Sequence, residues 1–291
     1  MMCSIPVLLL FQILTISPSR AYRFGLGMFD ITGPAAEVNM VVMELQKRYD
    51  GIFNHSNVLL SATHTHSGPG GYFQYFLYSV TSLGFVKQNF DAMVTGIIKS
   101  VEIAKSNMMN GKIYVAKGDV LNASINRSPA SYELNPAEER KRYQSNVDTE
   151  MVLLKFVNSS GHPVGMLNWF AVHATSMNMT NTLISSDNKG LAALMFEERL
   201  NGHRNVGQGP FVGAFAQANE GDVSPNLRGP KCIDTGRPCD YVHGSCNGRE
   251  LFEAAKEEIS GSISFTHQFV DMTKMKVQYG VSLVLKIYSH P

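Results

Sequence analysis

Charged side chains are scarce in this sequence. Asp, Glu, Lys and Arg make up 17% of the 291 residues, whereas about 25% is usual for a soluble domain. The net charge is only +1, so the sequence predicts no nucleic-acid partner and no electrostatic binding to anionic lipid. Internal repeats, low-complexity tracts and clear linkers are absent as well. With 44% apolar residues, a chain of this length can build one large α/β domain or two small ones around a sizeable core.

The apolar run near the N-terminus, Ile5 to Ile16, is shorter than the roughly 20 residues that a membrane-spanning helix needs. Ser19-Arg20-Ala21 follows it, a small-x-small pattern suited to signal peptidase, so residues 1–21 are predicted to be a signal peptide and the protein to be secreted or displayed at the cell surface. No Lys or Arg precedes the run, which keeps an uncleaved anchor and a buried strand as alternatives. Candidate glycosylation sites agree with export: Asn54, Asn122, Asn126, Asn158 and Asn178.

Cysteine is equally scarce, with four residues in the chain. Cys3 lies in the predicted signal peptide, whereas Cys232, Cys239 and Cys246 share one loop rich in Gly, Pro and Asp. Such a loop cannot bury a core of its own, which favours a disulfide formed in an oxidising compartment. The odd number leaves one thiol without a partner within the chain. The alternative, a structural zinc site, would need C-x2-C pairs, and the loop has none.

Apolar periodicity predicts interleaved helices and strands. Apolar residues at helical spacing over 90–104 predict a helix that ends at Asn110-Gly111. A second helix is predicted between a polar cap, Ser186 or Asp187, and a stop at Gly202. Because helices and strands alternate along the chain, the sequence indicates the α/β class. The predicted strands cover 58–62, 112–120, 151–157, 163–172 and 210–219, with a hairpin turn over 158–162.

Two histidines, one residue apart, follow the first predicted strand. In "NVLLSATHTHSGPGG" (57–71), His64 and His66 stand between an apolar run and a glycine-rich turn. Strand ends that lead into loops are where α/β proteins place their sites. If the strand persists through residue 66, both imidazoles point to one side, and such a pair is half of a zinc site. The alternative is a pair of surface histidines in a flexible loop.

Two further stretches place polar side chains after predicted strands. In "NWFAVHATSMN" (168–178), His173 ends an apolar strand. A hydrogen-bonded core histidine is the alternative to a metal ligand, but a second strand ending in His favours convergence on one metal. In "NEGDVSPN" (219–226), Ser224 follows a glycine that allows a tight turn. This stretch lacks the G-x-S-x-G elbow of α/β-hydrolases, and a turn without catalytic function is the alternative.

These stretches belong to a longer series, in this order: "FGLGMFDITGPAAEVNM" (24–40), "NVLLSATHTHSGPGGYFQY" (57–75), "INRSP" (125–129), "WFAVHATSMN" (169–178), "SSDN" (185–188), "NEGDVSPN" (219–226), "CIDTG" (232–236) and "HQFVDM" (267–272). The series resembles the neutral ceramidases, zinc amidases that cleave ceramide into sphingosine and a fatty acid. The resemblance implies an α/β fold with an incomplete mixed-sheet catalytic domain over 22–275, no C-terminal immunoglobulin-like domain, and a divergent tail over 276–291. It also implies ceramide as the substrate and contact with a membrane surface to reach it. It predicts no particular oligomeric state.

Carried over by motif, the resemblance implies a role for each site residue. His64 and His173 would bind one Zn²⁺ ion, and His66 would contact the substrate beside it and act as an acid or hydrogen-bond donor. Arg127 would hold the ceramide head group, and Ser224 occupies the position of the family's catalytic serine. Zn²⁺ polarises an amide carbonyl and lowers the pKa of a bound water toward about 7. An imidazole nearby can protonate the leaving amine.

The sequence departs from the family pattern in several places. The family's Glu and Tyr zinc ligands come from a downstream segment without a counterpart here, so two of four expected protein ligands are present. Family sequence is also missing between Met40 and Val41, and near Cys246, where a fourth cysteine is lost. Because the family pairs alternate cysteines of this loop, the resemblance implies a Cys232–Cys246 disulfide. Two functions follow: a zinc-dependent ceramide amidase, or a secreted, catalytically disabled ceramidase-like protein that binds zinc weakly.

Overall fold

A mixed five-stranded sheet forms the centre of the molecule, and the predicted α/β class is confirmed. The computed structural model describes residues 22–26, 38–72, 76–80, 82–176, 181–202, 204 and 209–227. Four predictions lie outside these residues: the signal peptide, the cysteine loop with Cys232 and Cys246, the sequon at Asn178, and the tail over 276–291.

The secondary-structure elements alternate along the chain. The strands are β1 (Tyr22–Phe24), β2 (Met109–Asp119), β3 (Ile125–Asn126), β4 (Glu150–Asn158), β5 (Pro163–Phe170), β6 (Val212–Gln217) and β7 (Val223–Ser224). The helices are α1 (Val38–Arg48), α2 (Phe76–Ser79), α3 (Lys87–Ser106), α4 (Pro129–Glu133), α5 (Ala137–Arg140) and α6 (Asp187–Asn201). Within the described ranges, no helix combines the length and the hydrophobicity needed to cross a bilayer.

The sheet has the strand order β1-β2-β4-β5-β6. The first three pairings are antiparallel, whereas β5 and β6 are parallel and are connected through α6. A separate antiparallel pair joins β3 to β7. The strands predicted over 112–120, 151–157, 163–172 and 210–219 are therefore confirmed. Because β5 and β6 are parallel, their carboxyl ends lie at the same edge of the sheet, and the residues that follow them meet there.

Helix α3 forms where it is predicted, but its predicted stop is wrong. One face of the helix is buried, and Asn107 provides the C-cap, before Asn110-Gly111 is reached. Those two residues belong to β2 instead. A Cβ atom at Gly111 would lie 2.1 Å from the Val157 carbonyl oxygen of β4 and 2.7 Å from the ring of Phe24 in β1, so glycine is needed here for the close approach of the two neighbouring strands and not to end the helix. The buried face of α3 consists of Phe90, Met93, Gly96, Ile97, Ile98, Ser100, Val101 and Ala104.

The junction between Met40 and Val41, where the family resemblance predicts additional sequence, lies inside α1. Val41 and Leu45 are fully buried, and they pack in one apolar cluster with Ile97 and Val101 of α3. The chain therefore passes through the junction as one continuous helix, whose apolar face is covered by α3.

Helix α6 covers one face of the sheet and ends as predicted. Gly202 follows it with a φ of +67°, the left-handed conformation that favours glycine after a helix. The predicted cap is wrong in part, because Ser186 occupies the N-cap position without a capping side-chain hydrogen bond. The α6 residues Ala192, Ala193 and Phe196 share an apolar cluster with side chains of β4, β5 and β6, which fixes the helix on the sheet.

The segment over 58–62 is not a strand, contrary to the prediction. Gln217, the last residue of β6, donates its backbone N–H to the Ala62 carbonyl at 2.9 Å, and the Trp169 indole donates to Ser61 Oγ at 3.1 Å. Leu59 is 69% exposed. The segment is apolar as a strand would be, but it meets β6 only at that strand's end, so no ladder of backbone hydrogen bonds forms.

Candidate metal centre and active site

Three imidazoles meet beyond the carboxyl ends of β5 and β6. The ring centroid of His64 lies 4.9 Å from that of His66 and 5.0 Å from that of His173. The centroids of His66 and His173 are 5.4 Å apart. One nitrogen from each ring lies within 4.8 Å of the others. Among the described residues, no other group of three or more His, Cys, Asp or Glu side chains is arranged in this way. The predicted convergence of the three histidines is confirmed.

His173 is held by the segment that precedes Ser224. Its Nδ1 lies 2.9 Å from the carbonyl oxygen of Val223, and its backbone N–H donates to the same oxygen at 3.3 Å. A carbonyl oxygen only accepts, so Nδ1 carries the proton and Nε2 of the neutral ring keeps its lone pair. His173 is only 6% exposed. It is therefore a hydrogen-bonded core histidine that also offers a ligand nitrogen, which unites the two alternatives drawn from the sequence.

His64 and His66 reach the cluster from a loop. Thr65 forms a single parallel bridge with Ala174, whose carbonyl accepts the His66 N–H at 3.1 Å. Thr65 Oγ1 donates to the Ser185 carbonyl at 2.7 Å. His64 has a φ of +61°, a conformation that is uncommon for residues other than glycine and concentrates at functional sites. This backbone turn, and not the alternation of a strand, brings both rings to one cluster.

The "SSDN" stretch ties the His173 loop to the start of α6. The two carboxylate oxygens of Asp187 lie 3.0 and 2.9 Å from the backbone nitrogen of Ser176, which donates to them. The side-chain amide of Asn188 donates to the His173 carbonyl at 2.8 Å and to Ser176 Oγ at 3.2 Å. Asp187 has a φ of +56°. The stretch therefore positions His173, whereas the sequence suggested only a helix cap.

Lys189 is a buried cation close to the histidines, and the sequence analysis missed it. The residue is 1% exposed, and its Nζ donates to the Val172 carbonyl at 2.7 Å. Burial lowers the pKa of Lys189 to about 7, against the attraction of Glu220 and Asp187, which raises it. Lysine is almost never fully buried, so a single lysine in a helical sequence gives no signal of such a position.

Partial desolvation favours the neutral form of two of the imidazoles. Desolvation, followed by the proximity of His173, lowers the pKa of His64 from its ordinary 6.5. Desolvation also lowers the pKa of His66, with smaller contributions from the two neighbouring rings. Both rings are therefore neutral at pH 7, the form in which imidazole binds a metal. Oε1 of Glu220 lies 3.1 Å from Nδ1 of His64, and burial raises the pKa of this carboxyl.

Ser224 and Arg127 are brought to the site by the β3–β7 pair. Arg127 directly follows β3, and its backbone N–H donates to the Asp222 carbonyl at 2.7 Å. Ser224 is 8% exposed, and its Oγ accepts the N–H of Asn226 at 3.2 Å. The turn proposed as the non-catalytic alternative is therefore present. Accepting this bond leaves the hydroxyl proton of Ser224 available for donation.

The sequons differ in their surroundings. Asn126 is 7% exposed, and its Nδ2 donates to the Asn146 carbonyl and to the Asp222 carboxylate, each at 2.8 Å. A glycan replaces one of the two hydrogens on this nitrogen, so the two bonds could not both persist, and the folded structure argues against Asn126 as an acceptor. Glycosylation stays a prediction at the other described sequons, Asn54, Asn122 and Asn158.

The donor set fits a zinc-type metal ion. Imidazole nitrogens bind Zn²⁺ at about 2.0–2.1 Å, which places tetrahedral ligand atoms about 3.3 Å apart; the spacing here, within 4.8 Å, is close to that. His173 has Nδ1 hydrogen-bonded to the Val223 carbonyl, which leaves its Nε2 for a metal, and Nδ1 of His64 lies 3.1 Å from Oε1 of Glu220. Within the described residues, neither ring nitrogen of His66 has such a partner. This difference separates the two predicted ligands from the third histidine.

The fold and the site define a mixed α/β protein with three imidazoles that could hold a metal ion, near the carboxyl ends of two parallel strands. The family of neutral/alkaline non-lysosomal ceramidases, through the model of its N-terminal part, matches residues 39–251. This chain belongs to that family.

Several relatives match nearly all of this chain at a similar sequence identity. The neutral ceramidase of Oryza sativa subsp. japonica is 35% identical over 416 residues, which cover 93% of this chain and 53% of that protein. Neutral ceramidase B of Dictyostelium discoideum is 37% identical, with 90% of this chain and 48% of that protein covered. The chain thus spans about half the length of these relatives. The rice match is longer than this whole chain, so the relative contains additional residues inside the matched region.

Two solved structures share the fold. A ceramidase complexed with C2 superposes with a TM-score of 0.70 and 32% identity over 88% of this chain and 45% of that one. The neutral ceramidase of Pseudomonas aeruginosa superposes with a TM-score of 0.69 and 31% identity over 88% of this chain and 46% of that one.

Proposed function

We propose that this chain carries the metal-binding and substrate-binding residues of a zinc-dependent amidase that hydrolyses ceramide to sphingosine and a fatty acid. The observation that carries the proposal is the convergence of His64, His66 and His173 within the segment that the family matches. The names of the relatives support the substrate class. We extend the proposal to secretion through residues 1–21 and to contact with a membrane surface, where ceramide resides.

His64 and His173 hold the metal through Nε2, while Asp187 and Asn188 fix the loop that carries His173. Zinc, when bound, supplies polarisation of the amide carbonyl and a water molecule with a pKa lowered toward about 7. Because the pKa of His66 is lowered by burial, this ring begins the reaction neutral. It can therefore accept the proton of the attacking nucleophile and return it to the leaving nitrogen.

Ser224 and Arg127 complete the proposed site. Arg127 carries five N–H donors in a fixed fork, which suits the hydroxyl groups of a ceramide head group. Ser224 either attacks the amide carbonyl or orients the attacking water. The two routes differ in one observable, because direct attack forms an ester between Ser224 and the fatty acid, which rapid quenching and mass measurement of the protein detect.

A second function, a ceramidase-like protein without turnover, is favoured by one observation. Within the described residues, the group of His, Cys, Asp and Glu side chains that could hold a metal consists of imidazoles alone, without the carboxylate that the family resemblance implies. A complete structural zinc site with four ligands has a binding free energy of about 10–16 kcal/mol. If two ligands retain half of that, the Kd is about 10⁻⁴ to 10⁻⁶ M, and the site is largely empty at low free zinc.

Release of fatty acid from labelled ceramide by the full 291-residue chain separates the two functions. For an amidase we expect turnover that stops with a chelator, returns with Zn²⁺, and is lost in His173→Ala and Ser224→Ala. His55→Ala, which changes an exposed histidine away from the cluster, is the matched control and should keep full activity. Absence of release at saturating Zn²⁺ would refute the amidase and support the protein without turnover.

A further inference from the structure

We propose that residues 71–86, which follow the histidine loop, are the surface through which this chain docks on a bilayer of zwitterionic lipid. The Val86 N–H donates to the Gly71 carbonyl at 2.6 Å and closes these residues into one loop, the apolar loop. This inference rests on the proposed function and deepens it, because it assigns the contact with a membrane to particular side chains.

The composition of the apolar loop differs from that of the rest of the chain. Residues 67–86 contain no Asp, Glu, Lys, Arg or His, although charged residues make up 17% of the sequence. Six of these residues are Phe or Tyr. A surface without formal charge has no electrostatic attraction to an acidic or a basic partner. Amphipathic aromatic rings, in contrast, concentrate at the boundary between water and hydrocarbon in membranes.

Large apolar side chains of the loop project into solvent. Phe76 is 85% exposed and Leu83 is 97% exposed. Leu83 also has a φ of +58°, which is uncommon for residues other than glycine, asparagine and aspartate. Neither packing in the core nor backbone preference therefore accounts for a leucine at this position. Contact with hydrocarbon does, because it removes the side chain from water.

Hydrogen bonds fix the shape of the loop near Leu83. Its N–H donates to the Val80 carbonyl at 3.2 Å, and the Gly84 N–H donates to the Ser79 carbonyl at 2.9 Å. Ser82 Oγ lies 3.2 Å from each of the carbonyl oxygens of Ser79 and Gly84. These bonds satisfy backbone groups that an apolar environment would otherwise leave without partners. The loop is thus prepared for contact with lipid before it meets a membrane.

The apolar loop lies next to the candidate active site. It begins shortly after His66 in the sequence, and the Ser185 N–H donates to the Ser67 carbonyl at 3.0 Å. This bond joins the histidine loop to residues 181–185, where Leu183 is 75% exposed. Two segments beside the site therefore expose large apolar side chains. A substrate with two hydrocarbon chains can pass directly from a bilayer into a site that faces it.

A second protein is the alternative occupant, because exposed apolar patches also mark protein interfaces. Protein interfaces surround their apolar centre with a polar rim that supplies hydrogen bonds. The tip of the apolar loop projects instead, since a Cβ atom at Gly84 would meet no other atom within 4 Å. A projecting, uncharged tip fits the fluid interior of a bilayer, which needs no matching groove.

The test determines which part of the chain touches a bilayer. Phe76→Trp and Leu83→Trp place a tryptophan on the apolar loop, and Leu134→Trp, at a leucine that is 86% exposed on another loop, is the matched control. The full 291-residue variants are mixed with vesicles of phosphatidylcholine whose acyl chains carry bromine, which quenches tryptophan at close range. We expect quenching at positions 76 and 83 and none at 134. The wild type, with Trp169 as its single tryptophan, gives the background.

Vesicle affinity is a second measurement. Leu83→Asp should weaken partition onto phosphatidylcholine vesicles by about tenfold or more, because burial of one leucine side chain accounts for at least that factor. Leu134→Asp should leave the partition unchanged, and circular dichroism of each variant controls for folding. High salt should not weaken binding of the wild type, because the apolar loop carries no charge.

The absence of quenching at both 76 and 83 would overturn the proposal, and so would equal quenching at 134. A chain held at the vesicle by its N-terminal apolar run would give the first of these results. A concentration-dependent dimer that is lost in Leu83→Asp, without quenching, would assign the loop to a second copy of this chain and would also overturn the proposal.

The vesicles contain no ceramide, so the result does not depend on turnover. Quenching without hydrolysis of any ceramide would refute the proposed amidase and leave the membrane contact standing. Hydrolysis of a short-chain, water-soluble ceramide without quenching would refute the membrane contact alone.

Discussion

Replacing His173 with alanine is expected to remove most of the zinc affinity, whereas replacing His66 should lower it less than about threefold. The structure distinguishes the two rings, because His173 has Nδ1 fixed on the Val223 carbonyl and the described residues give His66 no such partner. If four ligands are worth about 10–16 kcal/mol, each contributes about 2.5–4 kcal/mol. Loss of one ligand therefore weakens binding by about 10²- to 10³-fold.

Folding needs a separate control for this variant. His173 is buried, and its replacement leaves a cavity and removes the ring's hydrogen bond to the Val223 carbonyl, which together cost on the order of 1–3 kcal/mol of the free energy of unfolding. Urea unfolding of the metal-free protein measures this cost, and binding is compared only where the variant is folded. His55→Ala, at an exposed position, controls for histidine removal in general.

Isothermal titration with Zn²⁺ at pH 7.5 is the assay. With two ligands, the wild type should bind with a Kd of about 10⁻⁴ to 10⁻⁶ M, and His173→Ala should show no saturable binding in that range. Equal losses for His66→Ala and His173→Ala would refute the two-ligand assignment and establish a site of three histidines. A nanomolar wild-type Kd would refute the expectation of weak zinc binding.

Other predictions concern stability and covalent structure. Burial raises the pKa of Glu197 from 4.5 to about 7, so the folded state holds this proton more tightly than the unfolded state does. The associated stability is fully present below about pH 4.5 and lost by about pH 7, up to about 3 kcal/mol; urea unfolding at pH 4.5 and 8 should show this loss in the wild type and not in Glu197→Gln. Asn126→Ala removes three part-buried hydrogen bonds and should cost about 1–3 kcal/mol, whereas Asn135→Ala, at an exposed position, should be neutral in the same unfolding assay. Peptide mapping of the non-reduced protein should show a Cys232–Cys246 bridge, worth roughly 3 kcal/mol for a loop of about 15 residues, and a bridge to the middle cysteine would contradict this.

Much of the sheet followed from the sequence because its strands and helices carry their own local signals. β4 and β5 are apolar runs on either side of a Gly-containing turn, and α3 repeats buried residues at the helical period, so period and turn chemistry sufficed. These local signals gave wrong predictions where contacts with a neighbouring strand determine the backbone structure. The run over 58–62 is apolar like a strand, but the end of β6 gives it one backbone hydrogen bond and no ladder. Gly111 is predicted to end a helix, but the close approach of the Val157 carbonyl and the Phe24 ring is what requires glycine there.

The sequence by itself identified four residues of the candidate site, since His64, His66, His173 and Ser224 each stand where an apolar stretch ends, but it did not identify Lys189. Only the tertiary structure decided how they act together. The parallel pairing of β5 and β6 places the residues after both strands at one edge of the sheet, and no local pattern encodes which strands will pair. The oxygen that holds Nδ1 of His173 comes from Val223, 50 residues distant in sequence. A hydrogen bond between such groups depends on the final separation of two atoms, which exists only once the core has packed.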